Sequence, residues 1–588
     1  MKIDAWDLEG IYPGGSQSKE LQGQIQAFKQ HVKDLGVLVQ KKSPLSDLLL
    51  NFQELEKDEA EIEAFVHCLC AQNTQDRKAE QLVGELSNLK AELSTLGISI
   101  DNLLKDLSPK DFEALLSDPK ISTLSYAIEE KRRLAKEKLS VDKETLITAL
   151  SVDGYHGWNE IYNTLIGKIQ IQDGEEKLSV GQAENRLHKP DERERSIFFK
   201  KWCATWKSNE ETFAQVLNHM GGFRLKIYEM RGWESVLKEP LFANRMQKKT
   251  LDIMWQVVEK NKKPFIAYLE RKAELMGKPK LAWHDVDVPF FTSPKTQISF
   301  EEAAALIVEE FEQFNPKMAN FAKKAFKERW IEAENRAFKR PGGFCIHFPK
   351  SCQSRIFMTF SGTLSNLSTL AHELGHAYHS YLVEDLPYFL QQYRMNVAET
   401  ASTFAELIVA DAAVKKSGSN TEKLFFLDDK IQSAVAFLIN IHARFIFEKS
   451  FYEKRKHKAL DPEEISQLMI KAQIEAYSDS LETWNPHFWA SKMHFYFIDV
   501  PFYNFPYTFG YLLSFGLYAR ASKEGKKFAQ KLDPILRDSG QMEVEDLLQK
   551  HLNVDLTKAV FWQEAIDAIK VDIEEFLILS ESLLNQKR

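Results

Sequence analysis

Thr369-Leu-Ala-His-Glu-Leu-Gly-His-Ala-Tyr-His-Ser380 is the stretch around which the rest of the chain is organised. His372 and His376 stand four residues apart, so on a helix they project from one face about 6 Å apart, close enough for both imidazoles to hold one ion. Zinc takes imidazole nitrogen readily, and a catalytic site for it needs three protein ligands with a fourth position open. Glu373 points about 100° further round the helix, beside such an ion rather than onto it, where it can take a proton from water. The flanking sequence favours that helix. Arg355–Phe360 reads as a buried strand, Ser361-Gly-Thr363 as a turn, and Ser365 or Asn366 as a helix cap. Leu367, Leu370, Leu374 and Ala377 then follow at helical spacing.

A third ligand must come from further on, and His379, Glu384, Glu399 and Glu406 are the candidates. His379 lies one turn beyond the pair and reaches back poorly, so a supporting or substrate-facing place suits it better. A third histidine ten residues after the first, as in one class of zinc peptidases, is ruled out because position 382 is Leu382. Asn396–Glu406 reads as the start of a second helix, with Glu399 and Glu406 seven apart on one face among apolar neighbours. Glu399 on the metal, with Glu406 hydrogen-bonded to a ligating imidazole, gives both carboxylates a role.

Composition bounds the rest. At 588 residues, the chain is too long for one ordinary core, and 44% hydrophobic and 12% aromatic residues describe a folded body. A net charge of -8 gives no electrostatic footprint for nucleic acid or an anionic membrane surface. No apolar run reaches the length of a membrane span and the N-terminus lacks a signal core, so a cytoplasmic protein is expected. Five unpatterned cysteines fit a reducing compartment.

Along the chain, Ile25, Phe28, Val32, Leu35 and Val39, and then Leu82, Leu86, Leu89, Leu93 and Leu96, form narrow apolar seams that predict packed helical hairpins. Another helical block runs from Ser108 to about Ile171. Gln172-Asp-Gly-Glu-Glu-Lys177 reads as an exposed loop, dividing an N-terminal helical region, 1–171, from a catalytic region, 172–588. From Lys189 to Asn335 the spacing stays helical, apart from a solvated turn expected at Trp283–Pro289. Gly342–Phe348 and Arg355–Phe360 predict an antiparallel pair beside the active-site helix. Gly342 and Gly343 would let a peptide backbone approach closely and add to that strand, so they and Phe344 are candidate substrate contacts. His347 reads as a strand residue. Further on, Asn504 can cap a helix with Pro506 in its first turn and with Tyr507 and Tyr511 on one face. Tyr507 and Tyr503, with His494, are candidate donors to an oxyanion, and Tyr511 is a further substrate contact.

Thr369–His379, Ala398-Glu-Thr-Ala-Ser402, Phe502-Tyr-Asn-Phe-Pro-Tyr507 and the opening Trp6-Asp-Leu8 together resemble the oligoendopeptidase F branch of the thimet oligopeptidase family. The chain departs from that branch at Phe505 and Pro506, where tyrosine and glutamine are usual. The resemblance implies a mainly α, two-lobed body enclosing a deep channel with one zinc ion at its floor. It also implies cleavage of oligopeptides inside their chains, with His372, His376 and Glu399 as ligands and Glu373 as base. Two other functions are weighed against it: a zinc carboxypeptidase or aminopeptidase on a similar body, and a non-catalytic helical binding protein with a vestigial zinc site.

Overall fold

A computed structural model describes residues 5–189, 191–291 and 297–587, and it is an almost wholly helical body with two small sheets among those residues. The N-terminal seams become three long helices packed on one another, α1 (Lys19–Gln40), α2 (Leu45–Gln72) and α3 (Arg77–Asp106). Ile25, Phe28, Val32 and Leu35 of α1 and Leu82, Leu86, Leu89 and Leu93 of α3 are buried along the stripes their spacing defines. The side chains of Ser18 and Asp76 accept backbone N–H groups at the starts of α1 and α3, which those helix starts would otherwise leave open.

These helices share one hydrophobic core with Trp6, Leu8 and Tyr12, and a second, larger core takes side chains from Tyr155 onward. Tyr162 and Ile171 face the larger one. Where an exposed loop was expected, β1 (Gln170–Asp173) and β2 (Glu176–Ser179) form an antiparallel hairpin turning through Gly174 at φ +63°. Each strand buries one side chain, Ile171 opposite Leu178, too short an alternation for the sequence to announce.

The second sheet separates the two cores. It holds β3 (Ile331–Glu332), β4 (Phe344–Phe348) and β5 (Gln353–Phe357) in the order β3-β5-β4. The expected antiparallel pair is present, although β5 starts and ends earlier than predicted, while β3, only two residues long, escaped the sequence reading. Alternating side chains face opposite ways: Phe348 and Phe357 enter the N-terminal core and Ile356 the larger one. The outer edge of β4 has no partner strand among the described residues.

Trp283–Pro289 is not a solvated turn. Asp285 is fully buried, with its carboxylate 2.6 Å from Arg195 Nη2 and 2.5 Å from Lys278 Nζ, an ion-pair cluster whose distant partners spacing could not reveal. Among the described residues, no helix is long and apolar enough to cross a membrane.

Candidate active site

Five further elements build the site: α4 (Leu364–Val383), α5 (Met395–Lys416), α6 (Asn420–Val435), α7 (Ile441–Arg455) and α8 (Phe505–Glu524). The cap of α4 lies earlier than expected. Thr363 Oγ1 accepts from Asn366 N–H at 3.2 Å, and the Asn366 carboxamide oxygen accepts in return from the N–H groups of Thr363 and Ser361. α4 packs closely along α5, and Gly375 is what permits it: a Cβ there would lie 2.5 Å from Ser402 Cα and 2.6 Å from the Ala401 carbonyl oxygen.

That contact brings His372, His376 and Glu399 together. The Nε2 atoms of both imidazoles lie 3.3 Å from the same Glu399 oxygen, and all three candidate ligand atoms fall within 4.8 Å of one another. Their side chains keep 27%, 21% and 25% of their surface exposed, so the group is reachable. Ser402 Oγ donates to Glu399 at 2.9 Å. Glu406 accepts from Ser368 Oγ at 2.8 Å and stands 3.3 Å from His372 Nδ1, which turns the other ring nitrogen toward Glu399. Burial alone would lower the pKa of His372, but the two carboxylates outweigh it and push it up to about 10. Glu399 is held well below the usual carboxylate range: burial opposes this, but the two histidines outweigh it.

Glu373 is 7% exposed, and its Oε2 is buried with no hydrogen-bond partner among the described residues. Burial raises its pKa against the pull of His376 and His372. Gly343 lies directly over it, since a Cβ at that residue would be 3.5 Å from Glu373 Oε1, and Gly342 adopts φ +100° just before the strand. Phe344 does not face the site. Its ring stacks on Phe357 at 5.1 Å and meets His67 edge-on, because strand alternation sends it into the N-terminal core, which leaves only its main chain on β4 for the substrate contact expected of it.

His379 is corrected as well. It is fully buried, stacked on Tyr393 at 3.9 Å, with Nε2 2.8 Å from Ser539 Oγ and 3.0 Å from the Leu536 carbonyl oxygen. It therefore ties α4 to the segment after Phe528 instead of supporting the ligand group. His347 is a strand residue as read, with Nδ1 3.1 Å from Ser354 Oγ.

Tyr507 and Tyr511 line a cavity of about 210 Å³ together with His372 and Glu399. The Tyr507 hydroxyl is 3.2 Å from that of Tyr503, and the Tyr503 ring lies 5.1 Å from His494, so these residues form a chain leading away from the ligand group. His494 Nδ1 lies 2.9 Å from Asn504 Oδ1, and burial lowers its pKa to about 4. Asn504 does precede α8, but its side chain makes no capping bond; it accepts from Arg444 at 3.0 Å instead. Arg444, on α7, was missed by the sequence reading because no local pattern links it to a loop sixty residues later. A second cavity, of about 590 Å³, lies between the N-terminal helices and the segments around Arg231–Arg245 and Tyr388–Arg394, and it contains none of the candidate residues.

Known proteins resemble this chain over nearly its whole length. The sequence model of Peptidase family M3 matches residues 186–568, and one described as Oligopeptidase F matches residues 104–170. The oligoendopeptidase F homolog of Borreliella burgdorferi is 23% identical over 97% of this chain and 97% of that protein; the oligopeptidase PepF of Bacillus subtilis is 22% identical over 99% and 87%. Among solved structures, PZ peptidase A with an inhibitor superposes with a TM-score of 0.74 at 16% identity, covering 94% of this chain and 97% of that one. Oligoendopeptidase-F from Enterococcus faecium does so with a TM-score of 0.67 at 17% identity, covering 96% and 98%. With the first of these models spanning well over half of its length, the chain belongs to peptidase family M3 and is a metallo-oligopeptidase.

Proposed function

We propose that this protein is a zinc-dependent oligoendopeptidase that hydrolyses internal bonds of short, unstructured peptides. One observation carries this reading: two imidazole nitrogens converge on one Glu399 oxygen, with the unpartnered Glu373 carboxylate beside them. The donor set suits zinc. Tetrahedral ligands about 2.0–2.1 Å from an ion stand about 3.3–3.4 Å apart, and both imidazole–carboxylate separations are 3.3 Å. His372, His376 and Glu399 would hold the ion, which supplies Lewis acidity to the scissile carbonyl and to water.

The chain's own groups then move the protons. Glu373, buried and without a competing donor, takes the proton of the attacking water and hands it to the leaving amine. Glu406 holds the Nδ1–H of His372, leaving Nε2 free as a ligand atom. Burial and the hydrogen bond it donates to Tyr503 keep the Tyr507 hydroxyl protonated; turned from Tyr503 to substrate, it can donate to the carbonyl oxygen as negative charge develops there. His494 is neutral, and its Nδ1 meets Asn504 Oδ1 at 2.9 Å and Arg444 Nη1 at 3.4 Å. Donating Nδ1–H to the closer Asn504 oxygen would leave Nε2 as an acceptor for a substrate N–H group, whereas the opposite tautomer would make Nε2 the donor to an oxyanion expected from the sequence. The free edge of β4, opened by Gly342 and Gly343, can pair with an extended peptide through main-chain bonds.

The test uses a peptide blocked at both ends, with zinc-loaded, chelated and zinc-restored enzyme. Internal cleavage should follow the zinc, and Glu373→Gln should retain zinc while losing about 10²–10⁴-fold in rate. Cleavage confined to peptides with a free terminus would make the protein an exopeptidase. Wild-type rates in Glu373→Gln would remove the proposed base, and no cleavage of any peptide would leave a binding protein.

A further inference from the structure

The 210 Å³ cavity beside the ligand group has a wall that the reaction does not use. Tyr511 stacks on Phe437 at 4.7 Å and packs against Phe515 at 4.7 Å, and Leu407 extends this apolar lining. Phe437 reaches that position from a π-type turn, Ala436–Asn440, between α6 and α7, and Thr508 Oγ1 donates to its carbonyl oxygen at 2.6 Å. Such turns recur at functional sites because the extra residue re-aims a side chain.

Asp429 lines the same cavity and is exposed to it. Among the described residues, no hydrogen bond or ion pair reaches its carboxylate. The nearby cation is already taken: Lys430 pairs with Asp411 and, at 2.8 Å, with Asp572. Glu406 is also committed, to Ser368 and His372. Enclosure by the cavity, followed by the charges of Glu406 and Asp428, pushes the Asp429 carboxyl up to about 6. An aromatic trough ending in an unpaired carboxylate matches a side chain with an apolar stem and a cationic head, and a guanidinium also stacks on aromatic faces.

We propose that this cavity takes a basic side chain, arginine ahead of lysine, from a residue flanking the scissile bond, and that Asp429 pairs with its charge. The inference rests on the peptidase reading, since His372 and Glu399, which line the cavity, fix its place beside the reacting bond. A carboxylate left unpaired by the wrong substrate discriminates against it, so arginine should exceed an uncharged, unbranched side chain such as norleucine by about tenfold or more.

The experiment uses blocked peptides identical except for arginine, lysine, norleucine or glutamate on either side of the cleaved bond. In the wild-type enzyme, kcat/KM for arginine over norleucine should be about ten or more at one of the two positions. That ratio should fall toward one in Asp429→Asn, and Asp429→Lys should invert it in favour of glutamate. A wild-type ratio near one at both positions, or an undiminished ratio in Asp429→Asn, overturns the assignment. Kd values for the arginine and norleucine peptides, measured on Glu373→Gln protein, give the same ratio without turnover. If no peptide is cut, the peptidase reading falls, while equal Kd values separately overturn the pocket.

Discussion

Glu399 and Glu406 sit seven residues apart on one helix face, yet their surroundings give them different work. Glu399 meets two imidazoles with one oxygen, whereas Glu406 meets the far nitrogen of one imidazole and a serine. Glu399→Ala should therefore empty the proposed metal site, while Glu406→Ala should weaken zinc binding by about 10–100-fold. Zinc content after dialysis checks the order, and the reverse order would exchange the two roles. A different carboxylate makes a prediction about pH. Glu448 is 6% exposed, and burial pushes its pKa up to about 8 although Phe502 N–H and Arg224 pull it down. The folded chain thus holds that proton more tightly than the unfolded chain, so the stability it lends is complete below the ordinary glutamate range and is lost as pH rises toward 8. Glu448→Gln should flatten the fall in Tm between about pH 5 and 8. An unchanged slope would mean that Glu448 is ionised in the fold.

At the scale of elements, the helix pair α4 and α5 depends on one missing side chain. A Cβ at Gly375 would press on the Ser402 and Ala401 backbone, which cannot yield as a side-chain tip can. Gly375→Ala should cost about 1–3 kcal/mol or more by overpacking and should lower zinc affinity by moving both histidines away from Glu399. The control is Gly84, exposed within α3 with nothing within 4 Å of its missing Cβ; there alanine should stabilise by about 0.5–1 kcal/mol. Thermal melts and bound zinc check both, and a neutral Gly375→Ala would refute the close-contact account. The long helices were legible in the sequence because each repeats its buried stripe several times. β3, the β1–β2 hairpin and the Asp285 cluster were not, because each rests on one or two residues whose partners lie elsewhere in the chain. The same limit explains Asn504: its sequence context announces a cap, but Arg444 and His494 claim its side chain. Gly375 stood in plain view within the motif, but only the packing of α5 against it shows why it must be glycine.

Across the whole molecule, the two cores are tied together near the sheet that runs beside the site. Arg355 of β5 donates from Nε and Nη2 to the Asp7 carbonyl oxygen at 2.9 and 2.7 Å, fastening the N-terminal segment to that sheet. Arg245 pairs with Glu130 at 2.7 Å, and Arg133 with Glu543 at 2.7 Å, bridging the N-terminal helices to the rest of the chain. Opening the body wide enough to admit a folded domain would break these contacts together and expose buried charge in Arg245 and Glu130, a cost that threading an extended chain avoids. A folded substrate would instead have to unfold first. At about 5–15 kcal/mol, that step lowers the concentration of cleavable chain about a thousandfold or more. Zinc-loaded enzyme should therefore cut a blocked short peptide rapidly, cut the denatured form of a test protein more slowly, and leave its folded form intact over the same period. Varying the stability of the folded test protein sharpens the measurement, because the residual rate should track its unfolded fraction. Rapid cleavage of the folded form at internal sites would show that the regions around the two cores part freely, and would overturn the enclosed channel that the resemblance implies even with the zinc chemistry intact.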